Sequence, residues 1–259
     1  MKIAIVIPAR YQSKRLPGKP LIEIAGRSLL HRVWDIAKAV NGIAGVWIAT
    51  DDPRIAVHAE SFGAQAIMTS PDLATGTDRV RAAIGQMKER PDAAINLQGD
   101  AVLTPPWVVQ ALVDACAADP TAGMVTAAVR LTPTQIAETT ALKSKSPSSG
   151  TMVTMDLTGR ALYFSKMMIP FRRDGADAPM HRHIGIYGYR SEVLERLSAL
   201  PPSPLERAEQ LEQLRALENG IPIRVALVDY RGRTHASVDT QDDLAFVEAV
   251  IAREGELVP

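Results

Sequence analysis

A chain of 259 residues, 46% of them hydrophobic, can bury a full α/β core. Its 29 basic side chains are matched by 29 acidic ones, which excludes a general binder of nucleic acid or of a charged membrane surface. It has no run of 18 apolar residues and opens directly into a strand-like segment, so a cytoplasmic protein is expected.

The first predicted strand is the apolar run Lys2-Ile3-Ala4-Ile5-Val6-Ile7, and it leads straight into Pro8-Ala9-Arg10-Tyr11-Gln12-Ser13-Lys14-Arg15-Leu16-Pro17-Gly18-Lys19. Arg10, Lys14, Arg15 and Lys19 cannot all be buried unpaired. Four cations at a strand end, braced by Pro8, Pro17 and Pro20, point to a pocket for a group with several negative charges, with a nucleoside triphosphate the first candidate. The plain alternative is a solvated basic loop. With no Gly-x-x-x-x-Gly-Lys-Ser/Thr, the loop is not a P-loop, and side chains must supply much of the phosphate binding.

Strand and helix patterns then alternate. A helix is predicted over 28–40, where Leu29, Leu30, Val33, Ile36, Ala37 and Val40 share a face, and a strand over 45–50. Thr50-Asp51-Asp52-Pro53 caps the next helix; strands follow at 65–69 and 93–97, separated by a helix opening at Thr77-Asp78. This alternation predicts an α/β protein with a wound, mostly parallel sheet, and one domain over 1–259. The lone Cys116, in a helix predicted over 107–118, excludes an internal disulfide and reads as a small buried hydrophobe.

The stretch 132–150, rich in Thr, Ser and Lys, is expected to be an exposed, mobile connection. Segments 151–156 and 160–164, joined by Leu157-Thr158-Gly159, predict a hairpin, and 183–189 another strand. Helices are predicted over 204–218 and 240–253. In such a fold the ligand crevice lies at the carboxyl ends of the parallel strands, where the basic loop and Gln98-Gly99-Asp100 must meet.

Asp100, at a strand end, suits Mg²⁺, which takes one or two protein oxygens and completes its shell with phosphate and water. Asp239, just before the last helix, reads equally as a second ligand or as a helix cap beside Asp242 and Asp243.

The pattern Pro-Ala-Arg-x-x-Ser-x-Arg-Leu-Pro-Gly-Lys-Pro-Leu resembles the signature loop of the sugar-activating cytidylyltransferases, in particular those acting on 3-deoxy-manno-octulosonate (Kdo). Similar blocks run to the end of the chain: Ala161-Leu162-Tyr163-Phe164-Ser165, Ile169-Pro170-Phe171, Arg182-His183-Ile184-Gly185-Ile186-Tyr187-Gly188-Tyr189-Arg190, Ser203-Pro204-Leu205-Glu206 and Leu211-Glu212-Gln213-Leu214-Arg215. The resemblance implies a Rossmann-like nucleotide-diphospho-sugar transferase fold, with 151–190 as the arm of a homodimer. It implies Mg²⁺ on Asp100 and Asp239, and CTP over Ala9, Arg10 and Gln98, with Ser13, Thr77 and Arg79 nearby. Arg10, Arg15 and Lys19 would face the phosphates. Arg173, His183, Tyr187, Glu212 and Gln213 would contact an acidic sugar, Arg173 taking its carboxylate.

Three positions depart from the family pattern. Ala101 stands where a Glu follows Gln-Gly-Asp, Leu73 where a His precedes Ser-Gly-Thr, and Met152 where Asn-x-Val-Lys is usual. A cytidylyltransferase for a different acid, such as another ulosonic acid or a phosphonate, and a non-catalytic nucleotide binder are the alternatives these losses leave open.

Overall fold

The computed structural model describes residues 1–12, 15–173 and 177–258. Its centre is a sheet that begins with β1 (Ile3–Ala9), whose residues 3–7 are all fully or nearly fully buried. A strand covered on both faces reads as a continuous apolar run, which is why no alternation is visible there.

A two-stranded ribbon, β2 (Glu23–Ile24) and β3 (Arg27–Ser28), follows the basic loop and feeds α1 (Leu29–Lys38), whose N-cap Ser28 accepts from His31 N. Next come β4 (Gly45–Thr50), α2 (Pro53–Ser61), β5 (Gln65–Met68), α3 (Gly76–Gln86), β6 (Ala93–Asn96), α4 (Pro106–Ala118) and β7 (Met124–Arg130). The second half holds α5 (Pro133–Lys145), β8 (Met152–Met155), β9 (Ala161–Ser165), β10 (His181–Arg190), α6 (Ser191–Ala199), α7 (Pro204–Glu209), α8 (Gln213–Glu218), β11 (Ile223–Leu227) and α9 (Gln241–Glu254).

Among the described residues the sheet runs β11-β7-β10-β6-β1-β4-β5. β1 pairs in parallel with β4 and β6, whereas β10 runs antiparallel between β6 and β7. The hairpin β8–β9 hangs from the first residues of β10, with His181 opposite Val153 and Arg182 opposite Met152. Helices α1, α4 and α9 cover one face in a core with Ile5, Ile7, Ile95 and Leu112; α3, α6 and α8 cover the other with Val6, Ala94, Phe164 and Tyr189.

Two expectations are corrected. The stretch 132–150 contains a full helix, α5, opened by a capping box between Thr132 and Gln135. Its sole buried side chain is Lys143, so it has no apolar stripe, and the pattern signal that marks other helices is missing. The helix expected over 204–218 is two short ones, because Gln210 adopts a left-handed φ of 56°. The break sets Glu212 and Gln213 at the start of α8 instead of midway along one rod.

No helix of the described residues is long and apolar enough to cross a membrane. Cys116 is buried on α4, and burial pushes its thiol pKa up, as expected of a packing residue.

Candidate active site

The loop after β1 closes on itself. Gly18 N donates to Tyr11 O at 2.9 Å, and Gly18 takes φ 70° at the N-cap of a short 3-10 turn, Lys19–Leu21. A Cβ here would be in the left-handed region and 3.2 Å from the Tyr11 ring, so glycine is required. Arg54 lies over the outer face of that ring, 3.4 Å from its centre.

The turn aims Lys19 across the strand ends. Its Nζ is 2.8 Å from Asp100 Oδ2, 3.3 Å from Asp239 Oδ1 and 2.7 Å from the carbonyl of Val238. Arg15 reaches the same Asp239 oxygen at 3.2 Å. Asp100 follows β6 through Gln98-Gly99, and a Cβ on Gly99 would come 2.9 Å from Pro8 O, so the chain crosses the end of β1 in backbone contact. Gly76, at the start of α3, closes the third side: a Cβ there would lie 3.4 Å from Pro8 and 3.6 Å from Gln98 Oε1.

The two carboxylates suit a divalent cation, because both reach one position, the one taken by the Lys19 ammonium. Among the described residues no group of three or more His, Cys, Asp or Glu converges as a complete cage. Two carboxylates beside a basic loop suit a hard divalent cation that draws its remaining ligands from an anionic ligand and water. The capping alternative for Asp239 falls to its neighbours: Thr240 caps α9, and Asp243 accepts from the backbone of Asp239 and Thr240.

A second cluster sits on β10 and α8. His183 is buried, its Nε2 2.9 Å from Thr126 Oγ1, and its ring meets Phe164 edge-on and Tyr187 at a tilt. Burial first, then the charges of Lys166 and His235, depress its pKa to about 3, so the ring is neutral. Burial raises the Tyr187 phenol well above its ordinary value. Glu212 accepts from Thr77 Oγ1 at 2.6 Å, and burial raises its pKa against the opposing effect of that bond. Gln213 is buried, with its Nε2 unpartnered.

Other expected site residues stand as follows. Ala9 ends β1 and is buried, Arg10 beside it is exposed, and Gln98 donates to Asn96 Oδ1 at 3.2 Å. Arg79 is buried, its guanidinium donating to Thr69 Oγ1 and Asp51 Oδ2. Arg173 is exposed, and Ser13 lies outside the described residues. Of the departures, Ala101 is buried against the core, Leu73 is half-buried, and Met152 is fully buried beside Leu131 and Met180. The residue at 152 is thus part of an apolar cluster and adds nothing polar to the crevice.

Sequence reasoning missed Lys166, Arg182 and His235. The Lys166 backbone is gripped on both sides of its Cα: its N–H donates to Glu209 Oε2 at 2.7 Å, and its carbonyl accepts from Lys143 Nζ at 2.5 Å. Its signal was a cation placed right after the predicted strand at 160–164. Arg182 adjoins His183 in a block already singled out, and His235 is one of only five histidines.

Comparison with known proteins agrees with this geometry. A family model described as cytidylyltransferase matches residues 4–224. The chain is 51% identical over its whole length to the 3-deoxy-manno-octulosonate cytidylyltransferase of Maricaulis maris, covering all of that protein. It is 40% identical to the Escherichia coli enzyme of the same name over 98% of this chain and 97% of that one. A solved CMP:2-keto-3-deoxy-manno-octonic acid synthetase complexed with CTP superposes with a TM-score of 0.89 at 40% identity, covering 98% of this chain and all of the other. A cytidylyltransferase from Leptospira borgpetersenii, 15% identical with a TM-score of 0.58 over all of this chain and 97% of its own, shares the fold. The chain belongs to the cytidylyltransferase family, in its 3-deoxy-manno-octulosonate branch.

Proposed function

We propose that this chain transfers CMP from CTP to Kdo and releases pyrophosphate. The observation that carries the reading is the convergence of Asp100 and Asp239 on the Lys19 ammonium beside Arg15, at the strand end where a CTP-bound relative of 40% identity shares the fold.

In this reading the Kdo hydroxyl attacks the α-phosphorus in line, and the bond to the pyrophosphate oxygen breaks. Arg10, Arg15 and Lys19 neutralise the triphosphate, and Ala9, Gln98 and the turn at Thr77 line the nucleotide end, with Ser13 also expected there. Asp100 and Asp239 would hold a divalent cation, which would supply charge neutralisation at the phosphates and acidify a nearby hydroxyl. Lys19 has two duties: it pairs the carboxylates before substrate arrives and turns to phosphate afterwards. His183, neutral and held by Thr126, offers a fixed hydrogen-bonding edge, while Tyr187, Glu212 and Gln213 bring further polar groups for sugar hydroxyls. Catalysis rests on positioning and charge.

The arm carries exposed apolar side chains at Leu157, Leu162, Met167 and Phe171, which fits a homodimer, and a CTP-dependent reaction fits the cytoplasm. Pyrophosphate release across nucleotides and acids, with Mg²⁺ present, tests the function. Turnover with CTP and Kdo supports it. Turnover with CTP and a different acid alone keeps the transfer and overturns the acceptor; none with CTP and any acid overturns the transfer.

A further inference from the structure

Helix α2 grips the chain on either side of Lys19. Arg54 and His58 stand four residues apart, and so on one face of the helix. Before Lys19 the Arg54 guanidinium lies over the Tyr11 ring, 3.4 Å from its centre. After it, His58 Nε2 is 2.7 Å from Oγ of Ser28, the residue that caps α1. Arg54 is itself fixed: Asp52 accepts from its Nε at 2.9 Å and its Nη2 at 2.7 Å, and as the cap of α2 also accepts from Arg54 N at 2.9 Å. A planar guanidinium already held by a carboxylate loses little further freedom when it stacks on a ring.

Tyr11 passes this hold into the loop. Its carbonyl accepts from Gly18 N, and its ring edge lies 3.2 Å from the position a Cβ on Gly18 would take. Gly18 then opens the turn whose first residue, Lys19, meets Asp100 and Asp239. A chain of contacts thus runs from Asp52 through Arg54, Tyr11 and Gly18 to the ammonium at the centre of the crevice, although Arg54 itself is exposed on the outside of the molecule.

We infer that Arg54, set by Asp52, is a positioning residue: by stacking on Tyr11 it holds the basic loop in the conformation that receives the triphosphate. The inference rests on the loop binding CTP, as proposed above. Its effect is pre-organisation. A loop that visits other conformations binds with an affinity reduced by the fraction in the competent one, whereas the seated complex reacts from the same geometry. Loss of Arg54 therefore acts on KM for CTP and leaves kcat and KM for the acid alone.

The test measures kcat, KM for CTP and KM for Kdo with Mg²⁺ present, and CTP binding without Kdo by calorimetry. The proteins are the wild-type chain, Arg54→Ala, Tyr11→Leu, the double variant, and Asp52→Asn, which keeps an oxygen to cap α2. A wild-type chain that does not bind CTP overturns the reading of the loop, and this inference with it, before any variant is measured. Given wild-type binding, Arg54→Ala should raise KM and Kd for CTP about 2- to 5-fold, the range of one exposed cation–π contact, at unchanged kcat and KM for Kdo. Adding it to Tyr11→Leu should cost little more, because each removes the same contact, and Asp52→Asn should move KM for CTP in the same direction. Additive losses would show Arg54 acting without Tyr11. An unchanged KM for CTP, whether or not kcat or the melting temperature falls, would leave Arg54 a structural residue; either result overturns the inference. Should Tyr11→Leu fail to fold, Arg54→Ala combined with Asp52→Asn carries the test of additivity.

Discussion

Lys19 and Asp100 stand 81 positions apart in the chain and meet at 2.8 Å, with both side chains partly buried. The pair joins the loop of β1 to the loop of β6, so it ties the basic loop to the carboxylate side of the crevice through one contact. Asp100→Asn keeps an oxygen to accept from Lys19 but removes the charge. Turnover should fall at least 100-fold, the scale of one lost transition-state charge contact, with the melting temperature nearly unchanged. The same loss is expected for Asp239→Asn, and a chelator should abolish turnover reversibly. Near wild-type pyrophosphate release in either variant would remove that aspartate from the metal site.

Gly99 gives a backbone test of the same geometry. A methyl group there would have to move away from Pro8 O, 2.9 Å from the ideal Cβ position, and backbone cannot yield as a flexible side chain does. Gly99→Ala should displace Asp100 from Lys19, lowering kcat by an order of magnitude or more while KM for Kdo changes little. An Ala variant with unaltered kcat would show that the β1–β6 approach tolerates a methyl group without moving Asp100.

The first half of the fold was legible because β1 and β6 are buried on both faces and its helices carry apolar stripes, as along α1. The failures have physical causes. α5 buries no apolar side chain, and the break at Gln210 depends on one left-handed residue that is not glycine. In the site, Lys19, Asp100 and Asp239 could be read as strand-end and helix-start residues.

His183 makes a prediction about pH. Its folded pKa of about 3 lies below the ordinary value of about 6.5. Between these values the unfolded chain binds a proton that the folded ring refuses, so stability rises with pH across the window. This contribution is complete above pH 6.5 and is lost as pH falls toward 3. Glu212, whose pKa burial raises, acts in the opposite sense, so a residue-resolved measurement is needed. Ring-nitrogen NMR should find His183 neutral at pH 5, while exposed histidine in a denatured control is charged. A His183 signal titrating near pH 6.5 would mean that the ring is solvated.

The arm makes the last prediction. Leu162 and Phe171 are 62% and 88% exposed, with Met167 and Leu157 close by in sequence, and Leu142 and Leu227 also expose apolar surface. The hairpin sends Val153 and Phe164 into the main core and bonds to β11 through Gly159 O and Val225 N, yet these side chains stay outside that core. An apolar groove of about 1180 Å³ runs between the hairpin and β11, lined by Leu162, Pro170, Pro179 and Val225. Two copies related by a two-fold axis would cover both surfaces at once. Sedimentation at micromolar concentration should therefore give twice the chain mass of 28.0 kDa. Leu162→Glu together with Phe171→Glu should shift the mass to that of one chain, since two buried carboxylates without partners oppose association strongly. A wild-type chain that sediments as a monomer would reject the dimer, and the hairpin's apolar side chains would then need another partner.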